Sequence, residues 1–358
     1  MSTAELQLEI LDHAGAAVGA PDLIALEPGL FVLRFETMKV LSARAALHHL
    51  ITTGKVKPGD TVVDSSSGIY ARALALACHE LGVRCRIIGS TTIDAVMEAE
   101  LELLGVELER MPSTSSLELD QSRRVARIRE ILAAEPEIHW MRQYHDPVHD
   151  AGYLPVGAAV AKSLMARGHD SINLVAPVGS GVSSFAVAQG ISRILPSTVT
   201  GVQPFGSVTF GADHVDDPEI IIAGIGSSIP FGNVRHQAYS TIHWIGHDVA
   251  CTATTTLMRE HALFAGLSSG AAWAAARYER SLADQPQGNP GTVVIAPDTG
   301  HRYAIAVHAR HAEHGPLSSY APITVTDTAD LARPWSRMEW NGRPAPAQAV
   351  AHEPQMRG

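Results

Sequence analysis

Three glycine- and serine-rich segments are the clearest candidates for chemistry in this sequence. They are DSSSGIYARALALA (64–77), PVGSGVSSF (177–185) and GLSSGAAWAAA (266–276), and each follows a strand-like run and opens a helical one. At such a junction, backbone N–H groups and the helix dipole together favour a bound anion. Three of these segments in one chain predict a shared pocket at the carboxyl edge of the sheets.

The second segment has the composition of a phosphate loop. The amides of Gly179, Ser180 and Gly181 and the hydroxyl of Ser183 could all donate hydrogen bonds to a phosphate. The segment lacks the Gly-Lys-Ser/Thr of a Walker motif and the third glycine of GxGxxG. By itself it predicts a phosphate site and a plain strand-to-helix turn equally well.

The first segment could bind a carboxylate. Ser66, Ser67 and Gly68 supply the hydroxyls and amides that such a site needs. Taken alone, a serine N-cap on the helix that follows is the better interpretation. The third segment by itself also indicates no more than a turn into an alanine-rich helix.

Lysines are scarce, which limits any chemistry that needs an amine. The chain has four: Lys39, Lys55, Lys57 and Lys162. Lys55 and Lys57 flank the turn GKVKPGD and are best interpreted as solvated loop charges, while Lys162 lies on a predicted helix. A covalent reaction with a carbonyl group would therefore have few candidate nucleophiles.

Histidine and serine motifs give weaker hypotheses. His145 and His149 have the i, i+4 spacing of a helical metal pair, but Pro147 lies between them and no HExxH is present. We therefore predict a pocket-lining loop and no metal site, with either histidine available for proton transfer. GxSxG is absent as a nucleophile elbow, so a serine hydrolase is a poor interpretation.

Hydrophobic periodicity predicts an α/β protein, in which short β-branched runs alternate with amphipathic helices. The predicted strands are 60–66, 84–90, 137–141, 172–178, 197–204 and 291–297, and the predicted helices include 72–82, 95–105 and 156–168. Two lobes, each a largely parallel twisted sheet with helices on both faces, account for this pattern. The smaller lobe spans 41–150, the larger lobe spans 1–40 and 151–311, and 312–358 is a tail.

Composition excludes several classes of protein. With 358 residues the chain can bury a sizeable core, and its formal net charge of −10 argues against a nucleic-acid or anionic-membrane surface. The three cysteines have no regular spacing and suit a reducing compartment. The first residues are acidic and no apolar run approaches the ~20 residues of a membrane span, so we expect a cytoplasmic protein.

The order of the motifs resembles a known family. DSSSGIYA, QYHDP, PVGSGVS, GVQPFGS, AGIGSSIPFGN, GLSSGAA and APDTGHRY follow one another between about residues 30 and 310. This succession is similar to that of the fold-type II pyridoxal-phosphate enzymes of the cysteine synthase and cystathionine β-synthase family, whose fold is of the tryptophan synthase β type. The resemblance implies pyridoxal 5'-phosphate as cofactor and a homodimer as the assembly.

The resemblance also implies a role for each matching residue. The cofactor would be bound by Lys39, Gly179, Ser180, Gly181, Val182, Ser183, Gly224 and Thr299, with Gly226 in the same moving stretch as Gly224. The amino-acid substrate would be bound by Ser66, Ser67, Gly68, Ile69, Tyr70 and Gln143. In this scheme the 41–150 lobe is the mobile substrate lobe, and the other lobe holds the cofactor phosphate.

Three positions depart from the family pattern. With Arg44 as anchor, Lys39 lies three residues before the usual lysine, about one helical turn away. Ile69 stands where the family has asparagine, and it cannot donate that residue's hydrogen bond. Val182 stands where glycine is frequent. We interpret Lys39 as the catalytic lysine, because no other lysine lies near this position.

The resemblance implies β-replacement or β-elimination on a serine- or cysteine-like amino acid through an aminoacrylate. The departure at Ile69 favours specialised amino-acid metabolism over ordinary cysteine synthesis. A serine or threonine dehydratase, an amino-acid racemase and a noncatalytic regulatory descendant remain alternatives. The expected partners are a small amino-acid substrate and a second copy of the chain, with no nucleic acid and no membrane.

Overall fold

A computed structural model describes residues 10–66, 68–91, 93–112, 117–217, 224–282 and 288–346. The predicted substrate residue Ser67 therefore lies outside the described residues. The described strands, in chain order, are β1 (Asp22–Glu27), β2 (Leu30–Arg34), β3 (Thr61–Ser65), β4 (Arg84–Gly89), β5 (Glu107–Arg110), β6 (His139–Trp140), β7 (Ser171–Pro177), β8 (Ser197–Gln203), β9 (Thr241–Ile245), β10 (Pro290–Ala296), β11 (Ile323–Thr324) and β12 (Trp335–Glu339).

The helices complete the α/β pattern. They are α1 (Ala14–Gly19), α2 (Lys39–Thr52), α3 (Ile69–Leu81), α4 (Ala95–Leu103), α5 (Leu117–Ala134), α6 (Leu154–Met165), α7 (Val182–Ser192), α8 (His247–His261) and α9 (Leu267–Leu282). Short 3-10 turns cover Pro147–Gly152, His236–Ala238, Gly300–Tyr303, His311–Glu313, Leu317–Ser319 and Thr328–Asp330, and a π turn covers Ala304–His308. Helix α3 ends where the sequence predicts, because Gly82 adopts the left-handed conformation (φ 66°) that favours glycine.

The strands form two sheets. The larger has the order β1-β2-β10-β7-β8-β9-β12-β11, and its central strands β2, β10, β7, β8 and β9 are parallel. The smaller has the order β5-β4-β3-β6 and is parallel throughout. The predicted fold class is confirmed, while the lobe boundaries remain a prediction.

Both faces of each sheet are covered by helices. In the larger sheet, Leu174 packs into the core that includes α6 and α7, whereas its neighbour Val175 packs into the core of α8 and α9. In the smaller sheet, Val62 packs with α2 and α3, and Val63 packs with α5. Strands buried on both faces have continuous apolar runs in their sequence, which is why the sequence predicts β3 and β7. Among the described helices, none is long and apolar enough to cross a membrane.

Residues 323–339 of the segment predicted as a tail add two strands to the larger sheet. Strand β12 pairs antiparallel with β9, and β11 lies beside it at the edge. Trp335 and Trp340 are buried, and the buried Arg337 forms an ion pair with Glu279 (Nε to Oε1, 2.6 Å). The sequence of β12 shows neither an alternating nor a continuous apolar pattern, because its four buried residues include a serine and an arginine. A strand of this composition can be recognised only from the strands with which it pairs in the folded protein.

Candidate active site

One cavity lies where the chain brings the ends of the two sheets together. Its wall consists of Met38, Lys39, Ile69, Pro177, Gly179, Ser180, Ser183, Gly224, Ile225, Ser268, Pro297 and Asp298. Parallel strands leave their carboxyl ends at one edge, and β7 and β10 both end at this wall. The cavity thus includes residues of all three glycine- and serine-rich segments.

Lys39 lies in this wall as the first residue of α2. Its position is held from both sides, because Met38 N donates to Pro297 O (2.9 Å) and the Tyr153 hydroxyl donates to Met38 O (2.9 Å). Lys39 Nζ donates a hydrogen bond to Ser180 Oγ at 3.5 Å. Burial lowers the pKa of Lys39 to about 8, against the opposing effect of the Asp64 carboxylate. About a tenth of this amine is therefore neutral, and nucleophilic, at pH 7, far more than for a solvated lysine with its usual pKa.

The segment after β7 forms a cradle of backbone, which we define as residues 179–183. A Cβ on Gly179 would lie 2.3 Å from Gly224 O, so two backbone segments meet here with no room for a side chain. Gly181 has φ 80° and is the N-cap residue of α7, so the first amides of that helix point outward from its N-terminus. Ser180 and Ser183 line the cavity. Val182 does not; it is buried in the larger sheet's core.

The predicted moving stretch lies directly against this cradle. Gly224 lines the cavity with φ 88°, and Gly226 follows with φ 69°. Gly226 N donates to Val178 O at 2.9 Å, which fixes the stretch beside the end of β7. Both glycines thus adopt backbone conformations that other residues rarely adopt.

The first glycine- and serine-rich segment contributes Ile69 to the wall. Ser66 Oγ accepts hydrogen bonds from Gly68 N (3.4 Å) and Ala71 N (3.1 Å), so this serine also caps the first turn of α3. Tyr70 is buried and is absent from the cavity wall; its hydroxyl lies 2.9 Å from His149 Nε2. The capping interpretation and the substrate-loop interpretation are thus compatible.

Gln143 lies beside this segment. It is buried, and its Nε2 donates to Ser65 O at 2.9 Å. Its main-chain carbonyl accepts a hydrogen bond from Asn233 Nδ2 at 3.3 Å. The QYHDP motif is therefore next to the DSSSG motif in space, as the resemblance implies.

Thr299 is not part of the cavity wall, whereas its neighbour Asp298 is. The Thr299 hydroxyl instead lies 2.8 Å from His301 Nδ1. Asp298 is buried, burial raises the pKa of its carboxyl to about 7, and Arg302 opposes that rise. The assignment of Thr299 to the pyridine nitrogen remains a prediction.

Sequence reasoning missed several residues of the wall. They are Met38, Pro177, Ile225, Ser268, Pro297 and Asp298. A signal for Ser268 existed, because it belongs to the third glycine- and serine-rich segment. The others are apolar or follow a strand, and only the meeting of four separate segments brings them to one cavity.

The two candidate histidines face different partners. His145 Nδ1 accepts a hydrogen bond from Gly232 N (3.3 Å), while His149 is buried against Tyr70. Burial lowers the pKa of His149 to about 4, so this histidine is neutral at physiological pH. Within the described ranges, no group of three or more potential ligands could hold a metal ion.

The wall suits the cofactor that the resemblance implies. A cradle without side chains at a helix N-terminus matches a phosphate group, and the Lys39 amine matches an aldehyde. In this wall Asp298 Oδ1, and next to the wall Thr37 Oγ1, are buried without a hydrogen-bond partner among the described residues. Buried polar atoms are normally paired, so a polar ligand fits this wall.

Comparison with known proteins agrees with this fit. The family model for pyridoxal-phosphate dependent enzymes matches residues 33–298. An N-(2-amino-2-carboxyethyl)-L-glutamate synthase of Ralstonia nicotianae is 30% identical over 275 residues, covering 76% of this chain and 78% of the relative. A cysteine synthase of Staphylococcus aureus is 25% identical over 254 residues, covering 70% and 77%.

Solved structures share the fold. An O-ureido-L-serine synthase superposes with a TM-score of 0.70 and 18% identity, covering 87% of this chain and 99% of the other. An O-acetylserine-dependent cystathionine beta-synthase of Helicobacter pylori gives 0.70 and 19%, covering 83% and 98%. Because the family model matches well over half of the chain, this protein belongs to the fold-type II pyridoxal-phosphate-dependent enzymes of the cysteine synthase family.

Proposed function

We propose that the protein catalyses β-replacement on an O-substituted L-serine, with the amine of an acidic amino acid as the incoming nucleophile. The observation that supports the first part is the single wall that contains Lys39, three residues of the cradle (Gly179, Ser180 and Ser183) and Ile69 of the substrate segment. The second part is supported by the similarity to N-(2-amino-2-carboxyethyl)-L-glutamate synthases and by the position of Arg302 beside Gly68.

Pyridoxal phosphate, when bound, supplies the carbonyl group and the electron-withdrawing ring that make an α-proton labile. The residues of the chain bind the cofactor, orient the substrate and accept the proton. The cradle amides hold the phosphate, and the segment around Ser66 with Gln143 orients the α-carboxylate. Burial lowers the pKa of Lys39 to about 8, which makes the neutral amine more accessible than in a solvated lysine, so it can accept the α-proton at Nζ.

Ile69 favours replacement over elimination. It lines the same cavity as the cradle residues, and its side chain offers no hydrogen bond to water. An apolar wall excludes water from the reacting carbon, and water would otherwise compete with the second substrate. The departure from the family asparagine thus fits a reaction whose nucleophile is larger than water.

Arg302 supports an anionic second substrate. Its guanidinium Nη1 lies 3.4 Å from the position that a Cβ on Gly68 would occupy, which puts it beside the substrate segment. Arg302 is exposed, and no hydrogen bond or ion pair to it is found within the described part of the chain. A guanidinium binds carboxylates in a bidentate manner, so a side-chain carboxylate of the nucleophile is a suitable partner.

The experiment combines purified enzyme with O-acetyl- or O-phospho-L-serine and either L-glutamate, L-aspartate or sulfide. In the expected reaction the Cβ–O bond breaks, a Cβ–N bond forms, and the amine loses one proton as the acetate or phosphate leaves. Mass spectrometry would detect the secondary amine product. Pyruvate and ammonia without such a product would identify a dehydratase, and S-linked product alone would identify a cysteine synthase; either result contradicts the proposal.

We also propose a homodimer in the cytoplasm, as the resemblance implies. Apolar side chains such as Leu103 (88% exposed) and Ile305 (82% exposed) offer surface that a second copy could cover. The three cysteines are unpaired, which fits a reducing compartment. Light scattering after size-exclusion chromatography should give twice the chain mass of 38.1 kDa, and a single-chain mass would contradict the dimer.

A further inference from the structure

Asp64 is a buried carboxylate that begins the DSSSGIYA motif, has no assigned role in it and is not part of the cavity wall. It lies near the end of β3 and is 2% exposed. Charged groups are rarely buried unless they are paired or hydrogen-bonded, so its partners indicate what it does.

Three N–H groups converge on this carboxylate. Oδ1 accepts hydrogen bonds from Ser65 N (2.8 Å) and from Trp140 Nε1 (3.2 Å). Oδ2 accepts from Gln143 N at 3.0 Å. Asp64 therefore connects the end of β3 to the segment that follows β6.

Gln143 completes a closed ring of hydrogen bonds. Its main-chain N–H binds Asp64, and its side-chain Nε2 returns to Ser65 O, one residue further along. The residue after Ser65 is Ser66, whose hydroxyl holds the first turn of α3. The ring thus sets the distance between the two parts of the predicted carboxylate site, the segment after β3 and Gln143.

The hydrogen bonds to Asp64 and the nearby Lys39 amine favour the charged form of this carboxylate. Burial raises its pKa to about 6, against the hydrogen bonds and the Lys39 ammonium that lower it. The other ionisable groups whose pKa it raises are Tyr70, Cys85 and Tyr144, all of which are neutral near pH 7. The carboxyl is therefore mainly ionised at neutral pH and acts purely as an acceptor.

We propose that Asp64 is a positioning residue that holds the 65–66 backbone and Gln143 in the geometry that receives the α-carboxylate of the substrate. This rests on the proposed function in that the substrate is an amino acid. The role requires a carboxylate, because an amide of the same shape has one acceptor oxygen and turns its NH₂ group toward one of the three donors. An unpaired donor then loosens the ring.

The test compares two ligands of the loaded enzyme, L-serine and ethanolamine, which differ in the carboxylate. Their dissociation constants are measured from the change in visible absorbance on titration. For Asp64→Asn we expect about tenfold weaker binding of L-serine, the order of one hydrogen bond to a charged group, and no change for ethanolamine. Hydrogen exchange of the amides over 140–146 should become faster than in the unaltered protein.

Asp60→Asn is the matched control. Asp60 accepts a hydrogen bond from Lys57 N (2.8 Å) in the turn before the same strand, so it tests the same chemical change away from the ring. It should leave both dissociation constants and the exchange rates unaltered. Binding needs no turnover, so the comparison tests Asp64 even if the proposed reaction is wrong.

Trp140→Phe provides a second variant in case Asp64→Asn does not fold. It removes one donor to Asp64 and keeps the two main-chain donors, so we expect about two- to threefold weaker L-serine binding. Equal weakening of both ligands would show a general structural role and overturn the proposal. Unchanged L-serine binding in Asp64→Asn, or unchanged exchange over 140–146, would also overturn it.

Discussion

The cofactor cradle and the substrate segment are both strand-to-helix turns rich in glycine and serine, yet they are built differently. At Gly179 and Gly181 the shape depends on backbone approaching backbone, with Gly224 O and Val234 Cα where side chains would be. At Ser66 the shape depends on side chains, with hydrogen bonds that run through Ser66, Asp64 and Gln143. The cradle keeps its shape because glycine lets two backbone segments lie in contact, whereas the substrate segment keeps its shape through side-chain hydrogen bonds.

This difference has a physical reason. A phosphate is bound well by fixed amides at a helix N-terminus, and the cradle needs little adaptation. A substrate must enter and leave, and hydrogen-bonded side chains can open at a lower cost than packed backbone can move. We therefore expect steric changes to damage the cradle most and polar changes to damage the substrate segment most.

Lys39 touches the cradle, and its loss should have the largest effect. Lys39→Ala removes the amine that reaches Ser180, so we expect activity to fall by about 1,000-fold, as for loss of a positioned base and nucleophile. Borohydride treatment and peptide mapping should show the cofactor attached to the unaltered protein at Lys39 and no attachment in the variant. The exposed Lys162→Ala is the control. Attachment that survives in Lys39→Ala would refute the assignment.

Gly179→Ala tests whether the cradle depends on close backbone approach. The added Cβ would meet Gly224 O at 2.3 Å, so the two segments must separate, at an overpacking cost of about 1–3 kcal/mol. We expect the apoenzyme to bind pyridoxal phosphate about 10- to 100-fold more weakly in an absorbance titration. Gly315→Ala, where nothing lies within 4 Å, should bind normally. Normal binding by Gly179→Ala would mean that the cradle is adaptable.

Arg302→Ala tests the charge beside the substrate segment. Loss of the guanidinium should raise KM for L-glutamate by about tenfold with little change in kcat, because the contact is made with the nucleophile and not at the reacting atoms. KM for the small nucleophile sulfide should not change. Arg193→Ala, an exposed arginine at the far end of α7, serves as control. An equal rise for both nucleophiles would remove Arg302 from nucleophile recognition.

The pH dependence of cofactor attachment should be the smallest of these effects. Because burial lowers the pKa of Lys39 to about 8, the fraction of neutral amine rises with pH and levels off above that value. Attachment to the apoenzyme should speed up about tenfold between pH 7 and pH 9 and change little beyond. Stopped-flow absorbance measures this rate. A rise that continues past pH 10 would indicate a lysine that is not buried.

Much of the fold could be predicted from the sequence, because its central strands are buried on both faces. Strands β3, β4, β7, β8 and β10 match predicted runs to within a few residues. Strand β9 was missed, since its TIHWI includes threonine and histidine that only the neighbouring Glu279 and Trp335 make suitable for burial. Strands β11 and β12 were not predicted for the same reason: the order of their residues does not show that β9 needs a partner. The assignment of 312–358 as a tail remains a prediction.

For the site, the amino-acid sequence by itself determined the family, through the order of the glycine- and serine-rich motifs, which is a property of the chain alone. This inference succeeds because short motifs encode local turn geometry directly, and turn geometry is what a phosphate or carboxylate recognises. The shortage of lysines directed attention to Lys39, whose catalytic role remains a prediction.

Only the tertiary structure decided which side chains meet. It put Lys39 against Ser180, 141 residues away, turned Tyr70 toward His149, and brought Asp298 rather than Thr299 to the cavity wall. It also showed the ring around Asp64, which no spacing predicts. Periodicity describes neighbours along one helix or strand, whereas these contacts depend on how separate elements pack against each other.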